Sequence, residues 1–65
     1  MQHEYMFLNV DKALRPISDS YGNGVSPTWS LGFLLDALGE DGWELVTVHP
    51  DDQKGYLYHF KRPLE

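Results

Sequence analysis

The chain contains no cysteine, which excludes a disulfide framework, a thiolate nucleophile and any zinc site built on sulfur. Basic residues are scarce: five Lys and Arg stand against ten Asp and Glu, a formal charge of −5. That balance argues against nucleic acid and against an anionic membrane, both of which recruit basic patches. No apolar run reaches the roughly 18 residues that a membrane span needs, and polar residues rather than a signal-peptide pattern follow Met1. Internal repeats and low-complexity tracts are missing as well. The expectation is a soluble, cytoplasmic domain with neither a membrane nor a nucleic-acid partner.

What is present has to fold within 65 residues, so residues 1–65 are read as a single domain. Ordering a chain of this length costs on the order of 100 kcal/mol, and a small domain buries a low share of its surface. Hydrophobic residues make up 42% and aromatics 14%, more apolar surface than one small core takes up. Self-association is the simplest remedy for the excess, so a dimer or higher homo-oligomer is expected.

Glu4 to Val10 is rich in aromatic and aliphatic residues and too short for a typical helix, so it reads as a strand. From Asp11 to Pro27 turn formers take over: Pro16, Ser18, Asp19 and Ser20, then Tyr21-Gly22-Asn23-Gly24. This 11–27 stretch is read as a long loop insertion. Loops of such length carry function or mobility, which makes Tyr21, Gly22, Asn23 and Gly24 the candidate partner or ligand loop.

Ser26-Pro27 suggests a helix start, with Ser as N-cap and Pro in the first turn. Leu31, Leu34, Leu35 and Leu38 recur at helical spacing, and Gly39 is the predicted stop. After Glu40-Asp41-Gly42, the run Trp43 to His49 reads as a strand, Pro50 to Gly55 as a loop, and Tyr56 to Lys61 as a strand. The expected fold is α+β: a β-α-β-β domain with one helix on a three-stranded sheet and a C-terminal hairpin.

Pairing His49 with Tyr56 sets Leu45 opposite Phe60, Thr47 opposite Tyr58 and Glu44 opposite Lys61, an opposite-charge pair. Alternation then places Trp43, Leu45, Tyr58 and Phe60 under the leucine stripe, and Glu44, Val46, Val48, Leu57, His59 and Lys61 on the other face. A single helix covers one face only. Val46, Val48 and Leu57, joined by Met6 and Leu8 of the first strand, are therefore candidate interface residues. Trp29 and Phe33 lie opposite the leucine stripe and are candidates too. Either the long loop folds back over them with Ile17, Tyr21 and Val25, or they form a second interface.

The run Leu34-Leu35-Asp36-Ala37-Leu38-Gly39-Glu40-Asp41-Gly42-Trp43-Glu44-Leu45-Val46, followed by Tyr58-His59-Phe60-Lys61-Arg62-Pro63, resembles a family of very small bacterial and phage proteins. That family is known only as a domain of unknown function. Its pattern is Leu-x-x-x-Gly-x-x-Gly-Trp-Glu-Leu-Val and then Tyr-x-Phe-Lys-Arg-Pro. The likeness covers Leu34 to Pro63 well and Glu4 to Val10 loosely. It implies a β-α-β-β fold and supplies no catalytic residue. The insertion from Asp11 to Pro27 and Met6, where a polar residue is common, depart from the pattern.

Chemistry-bearing constellations are sparse. His49 with Asp51 and Asp52 offers one imidazole and two carboxylates, without a recognised ligand spacing, so no metal or other cofactor is expected. Glu44 lies diagonal to His59 and is the residual acid–base arrangement, but a flat sheet face lacks the dry pocket catalysis needs. The serines occupy caps and turns, and Tyr21-Gly22-Asn23-Gly24 lacks the Gly-Lys-Ser/Thr of a phosphate loop. The expected role is a non-enzymatic interaction module that self-associates and binds a protein partner, a basic one given the acidic charge. The alternative is a small-molecule binder with a pocket between subunits, lined by Tyr21, Trp29, Tyr56 and His49.

Overall fold

The computed structural model describes residues 2–51 and 55–64. Five elements follow in the order β1 (His3–Val10), β2 (Pro16–Asp19), α1 (Leu31–Glu40), β3 (Glu44–Asp51) and β4 (Gly55–Pro63). The strands form one antiparallel sheet in the order β2-β1-β4-β3. The α+β class is as expected, but the sheet has four strands rather than three. No helix among the described residues is long and apolar enough to cross a membrane.

The additional strand lies inside the segment read as a loop. Asp11 makes the reversal: its carboxylate accepts from the N–H groups of Ala13 and Arg15 at 2.9 Å, and its own N–H donates to the Arg15 carbonyl at 3.0 Å. The turn holds Leu14 at φ 63°, a conformation non-glycine residues seldom adopt. Pro16 then opens β2, a tolerated position because it begins an edge strand. The propensities of Pro16, Ser18 and Asp19 hid a strand that pairing with β1 imposes.

A second reversal follows. The Asp19 carboxylate accepts from the N–H groups of Tyr21 and Asn23 at 2.9 and 3.0 Å, with Gly22 at φ 87°. The chain returns along the outer edge of β2, where Val25 N–H donates to the Ile17 carbonyl at 2.8 Å and Asp19 N–H to that of Asn23 at 3.0 Å. Tyr21 to Gly24, the expected partner loop, is thus an ordered turn leading into the strand-like cover of a sheet edge.

The helix begins later and ends later than its sequence signals suggest. Ser30, not Ser26, is the N-cap, its hydroxyl accepting from Phe33 N–H at 3.1 Å. Gly39 lies within α1, and the stop is a Schellman motif: Trp43 N–H donates to the Leu38 carbonyl at 2.9 Å and Gly42 N–H to that of Gly39 at 3.1 Å. Gly42 supplies the positive φ of 90° that this ending requires.

Met6, Leu8 and Val10 of β1, Phe60 of β4, Leu34 of α1 and Trp43 form the buried core. Leu31, Leu35 and Leu38 pack against it, as the stripe predicts. Met6 and Leu8 are therefore corrected: they are core rather than interface. Tyr5 and Phe7 take the outer face instead, because β1 is apolar on both of its alternating sides and its parity cannot be read from pattern alone.

The hairpin register is half as expected. Glu44 stands opposite Lys61 and Leu45 opposite Phe60, but a bulge at Val46 then sets Thr47 opposite His59, Val48 opposite Tyr58 and His49 opposite Leu57. One extra residue exchanges the faces downstream. Val48 moves to the helix side, where it stays exposed, and His49 moves to the uncovered side.

Candidate functional site

The face of the sheet opposite α1 is built from alternate residues of all strands. β1 contributes Tyr5, Phe7 and Asn9, with Lys61, His59 and Leu57 of β4 facing them in register. Thr47 and His49 of β3 continue the rows. Ser18 and Ser20 close the β2 side, Ser18 Oγ accepting from the Asn9 amide at 2.9 Å and Ser20 Oγ from Phe7 N–H at 3.1 Å. A shallow groove of about 640 Å³ runs across this face past Tyr5, Phe7, Val46, Thr47, His59 and Lys61.

Rings dominate it. Phe7 and His59 have centroids 6.1 Å apart, and His59 and His49 stand perpendicular at 6.4 Å. Tyr5, with His3 beside it at 6.4 Å, is 69% exposed, Val46 54% and Phe7 38%. Of the candidates named from the sequence, Val46 and Leu57 belong here. Tyr5 and Phe7 were missed; the signal for them, large apolar residues alternating with Met6 and Leu8, was present but had no sign.

Trp29 and Phe33 form a separate surface. Their rings meet edge to face at 5.5 Å, and they are 45% and 55% exposed. The preceding segment does not bury them: Ile17 and Tyr21 are exposed too, and only Val25 packs on the core. Asp36 and Glu40 lie on the same exposed side of α1, one and two turns on from Phe33.

A third cluster is structural. Arg62 is ion-paired with Glu4 and donates to Asp41 Oδ2 at 2.6 Å, while its guanidinium lies 4.5 Å from the Trp43 ring centroid. The Glu4 hydrogen bond is the main cause holding the guanidinium pKa above its ordinary value. Gly42-Trp43 and Lys61-Arg62-Pro63, distant in sequence, thereby meet at the end of the helix.

The other chemical readings can be placed on this frame. Glu44 and His59 share no hydrogen bond among the described residues, and Glu44 stands opposite Lys61. No group of three or more His, Asp or Glu side chains among the described residues could hold a metal ion, and Asp52 lies outside them. Tyr21, Trp29, Tyr56 and His49 are not gathered within one copy. Tyr56 packs on the core side of the sheet and His49 on the uncovered side. No protein-family model, curated protein or solved structure matches the chain.

Proposed function

We propose that this chain is a non-enzymatic interaction module that works as a homo-oligomer. The observation that carries the reading is the apolar surface left outside the core. Tyr5, Phe7, Leu45, Val46 and Val48 on the sheet, Phe33 on the helix and Trp29 in the turn before it are all substantially in water. Seven large apolar side chains left in water on a small domain are a signature of interaction surfaces.

Two separate faces fit two tasks. One joins copies; the other, Trp29 and Phe33 flanked by Asp36 and Glu40, suits a basic protein partner, with the cytoplasm the expected compartment. The resemblance to small bacterial and phage proteins is in keeping with such a module and adds no activity to it.

The test is sedimentation velocity on the full chain from micromolar to millimolar concentration. A concentration-dependent shift from one to two or more copies is expected. A single monomeric species throughout overturns the proposal.

A further inference from the structure

Resting on the partner-binding half of that reading, we infer that Trp29, Phe33, Asp36 and Glu40 form a recognition site for arginine side chains on a basic protein segment. The aromatic part is a corner, in which the two exposed rings meet at 62° with centroids 5.5 Å apart. The acidic part continues along the helix. Phe33, Asp36 and Glu40 recur at helical spacing, so a stripe about 10 Å long runs from the corner to the last residue of α1. Gly32 and Gly39 border it, and a β-carbon on either would meet nothing within 4 Å, so the carboxylates stand open to a partner.

The charge of the stripe is uncompensated. Asp36 and Glu40 are like charges four residues apart, an arrangement unfavourable to a helix. Glu40 also lies at the helix pole that favours cations, and the last turn has no basic residue. Among the described residues neither carboxylate has a hydrogen bond or an ion pair. α1 itself contains no Lys or Arg. Elsewhere, Arg62 is held by Glu4 and Asp41, Arg15 donates to the Pro27 carbonyl at 2.8 Å, and Lys61 stands on the uncovered sheet face.

The same chain shows what such a set of groups holds. Arg62 lies 4.5 Å from the Trp43 ring centroid while pairing with Glu4 and with Asp41 Oδ2 at 2.6 Å. One indole and two carboxylates are there filled by one guanidinium. Trp29, Asp36 and Glu40 repeat those groups on the surface, where the cation has to come from another chain. Arginine suits them better than lysine: its planar head stacks on a ring while its N–H groups reach carboxylates, and its apolar stem can cover Phe33. A second copy is the wrong occupant, because apposing two such stripes gathers four carboxylates between chains of −5 each.

The experiment is an NMR titration of the isotope-labelled full chain, at low salt, with a capped alanine-based peptide containing Arg-Ala-Ala-Ala-Arg. Its two guanidinium groups match the one-turn separation of Asp36 and Glu40. The counterparts carry Lys or Gln in place of Arg. The Trp29 indole and the Asp36 and Glu40 amides are expected to shift, and the Trp43 indole to stay in place. The Arg peptide binds about three- to fivefold more tightly than the Lys peptide, and the Gln peptide does not bind. Asp36→Asn with Glu40→Gln, which keeps shape and removes charge, weakens the Arg peptide about tenfold. Trp29→Leu and Phe33→Leu each reduce the preference for Arg over Lys. Equal binding of the Gln peptide, indifference to the loss of both carboxylates, or no binding by any peptide overturns the inference; oligomers in sedimentation velocity then leave the module standing. Loss of those oligomers in Trp29→Ser with Phe33→Ser overturns it too, because the face then joins copies. A monomeric chain that binds the Arg peptide as described upholds this inference and overturns the homo-oligomer alone.

Discussion

A β-carbon on Gly55 would overlap the Val10 carbonyl oxygen and lie 2.6 Å from the Asp11 carbonyl carbon and 2.8 Å from its Cα. All three atoms are backbone, at the point where β4 starts beside the end of β1, so no side chain can swing away. Gly55 also sits at φ 124°, outside the range of residues with a side chain. Overpacking costs about 1–3 kcal/mol and backbone strain a similar amount, so Gly55→Ala is expected to destabilise by about 3–5 kcal/mol. A domain of this size has only about 3–10 kcal/mol in all. Two further substitutions calibrate the result. Gly42→Ala meets nothing within 4 Å but keeps φ 90°, and is expected to cost about 1–2 kcal/mol. Gly39→Ala meets nothing within 4 Å and has helical neighbours, so it is expected to stabilise by about 0.5–1 kcal/mol. Urea unfolding at one fixed protein concentration, followed by tryptophan fluorescence, reads all three, with a slope of about 1 kcal/mol per M. Gly55→Ala within about 1 kcal/mol of the parent would refute the close approach of β4 to the end of β1.

Leu8 is 2% exposed and Leu45 45%, although both face the helix side of the sheet. Leu8→Ala is expected to cost about 2–5 kcal/mol and Leu45→Ala about 1 kcal/mol or less; equal losses in urea unfolding would contradict the burial assigned to β1. Ser30→Ala removes the cap on Phe33 N–H and should cost about 1 kcal/mol, whereas Ser26→Ala should cost under about 0.5 kcal/mol. The reverse order in thermal melts would move the helix start back to the Ser26-Pro27 signal.

The elements that were legible in advance are those whose signal is periodic and self-contained. Leu31, Leu34, Leu35 and Leu38 define one helix face whatever else the chain does, and that face is packed on the core. The opposite charges of Glu44 and Lys61 fixed the start of the hairpin register correctly. Signals that depend on a partner were not legible. Ser26-Pro27 is a reasonable helix opening, yet it forms a turn in which Trp29 N–H donates to the Ser26 carbonyl, and Ser30 caps instead. Pro16 to Asp19 has poor strand propensity and becomes a strand because β1 has a free edge to pair with.

The candidate site was legible in kind but not in membership. An apolar sheet face left uncovered by one helix follows from composition and element count. Which residues line it depends on parity, and parity failed twice, for different reasons. In β1 both alternating sets are apolar, so only the packing of α1 selects Met6, Leu8 and Val10 as core and leaves Tyr5 and Phe7 outside. In β3 a single bulged residue, Val46, exchanges the sides of everything after it.

The sequence by itself determined the α+β class, the amphipathic helix, the C-terminal hairpin and an excess of apolar surface over one small core. These rest on local periodicity, turn chemistry and composition, which need no knowledge of neighbours. Tertiary structure alone decided that Asp11 and Asp19 fold the middle segment into a fourth strand with a covered edge. It also decided that His49 and His59 share one face beside Phe7. Strand pairing and register are contacts between distant residues, and a one-residue bulge that costs little locally reverses which side chains meet.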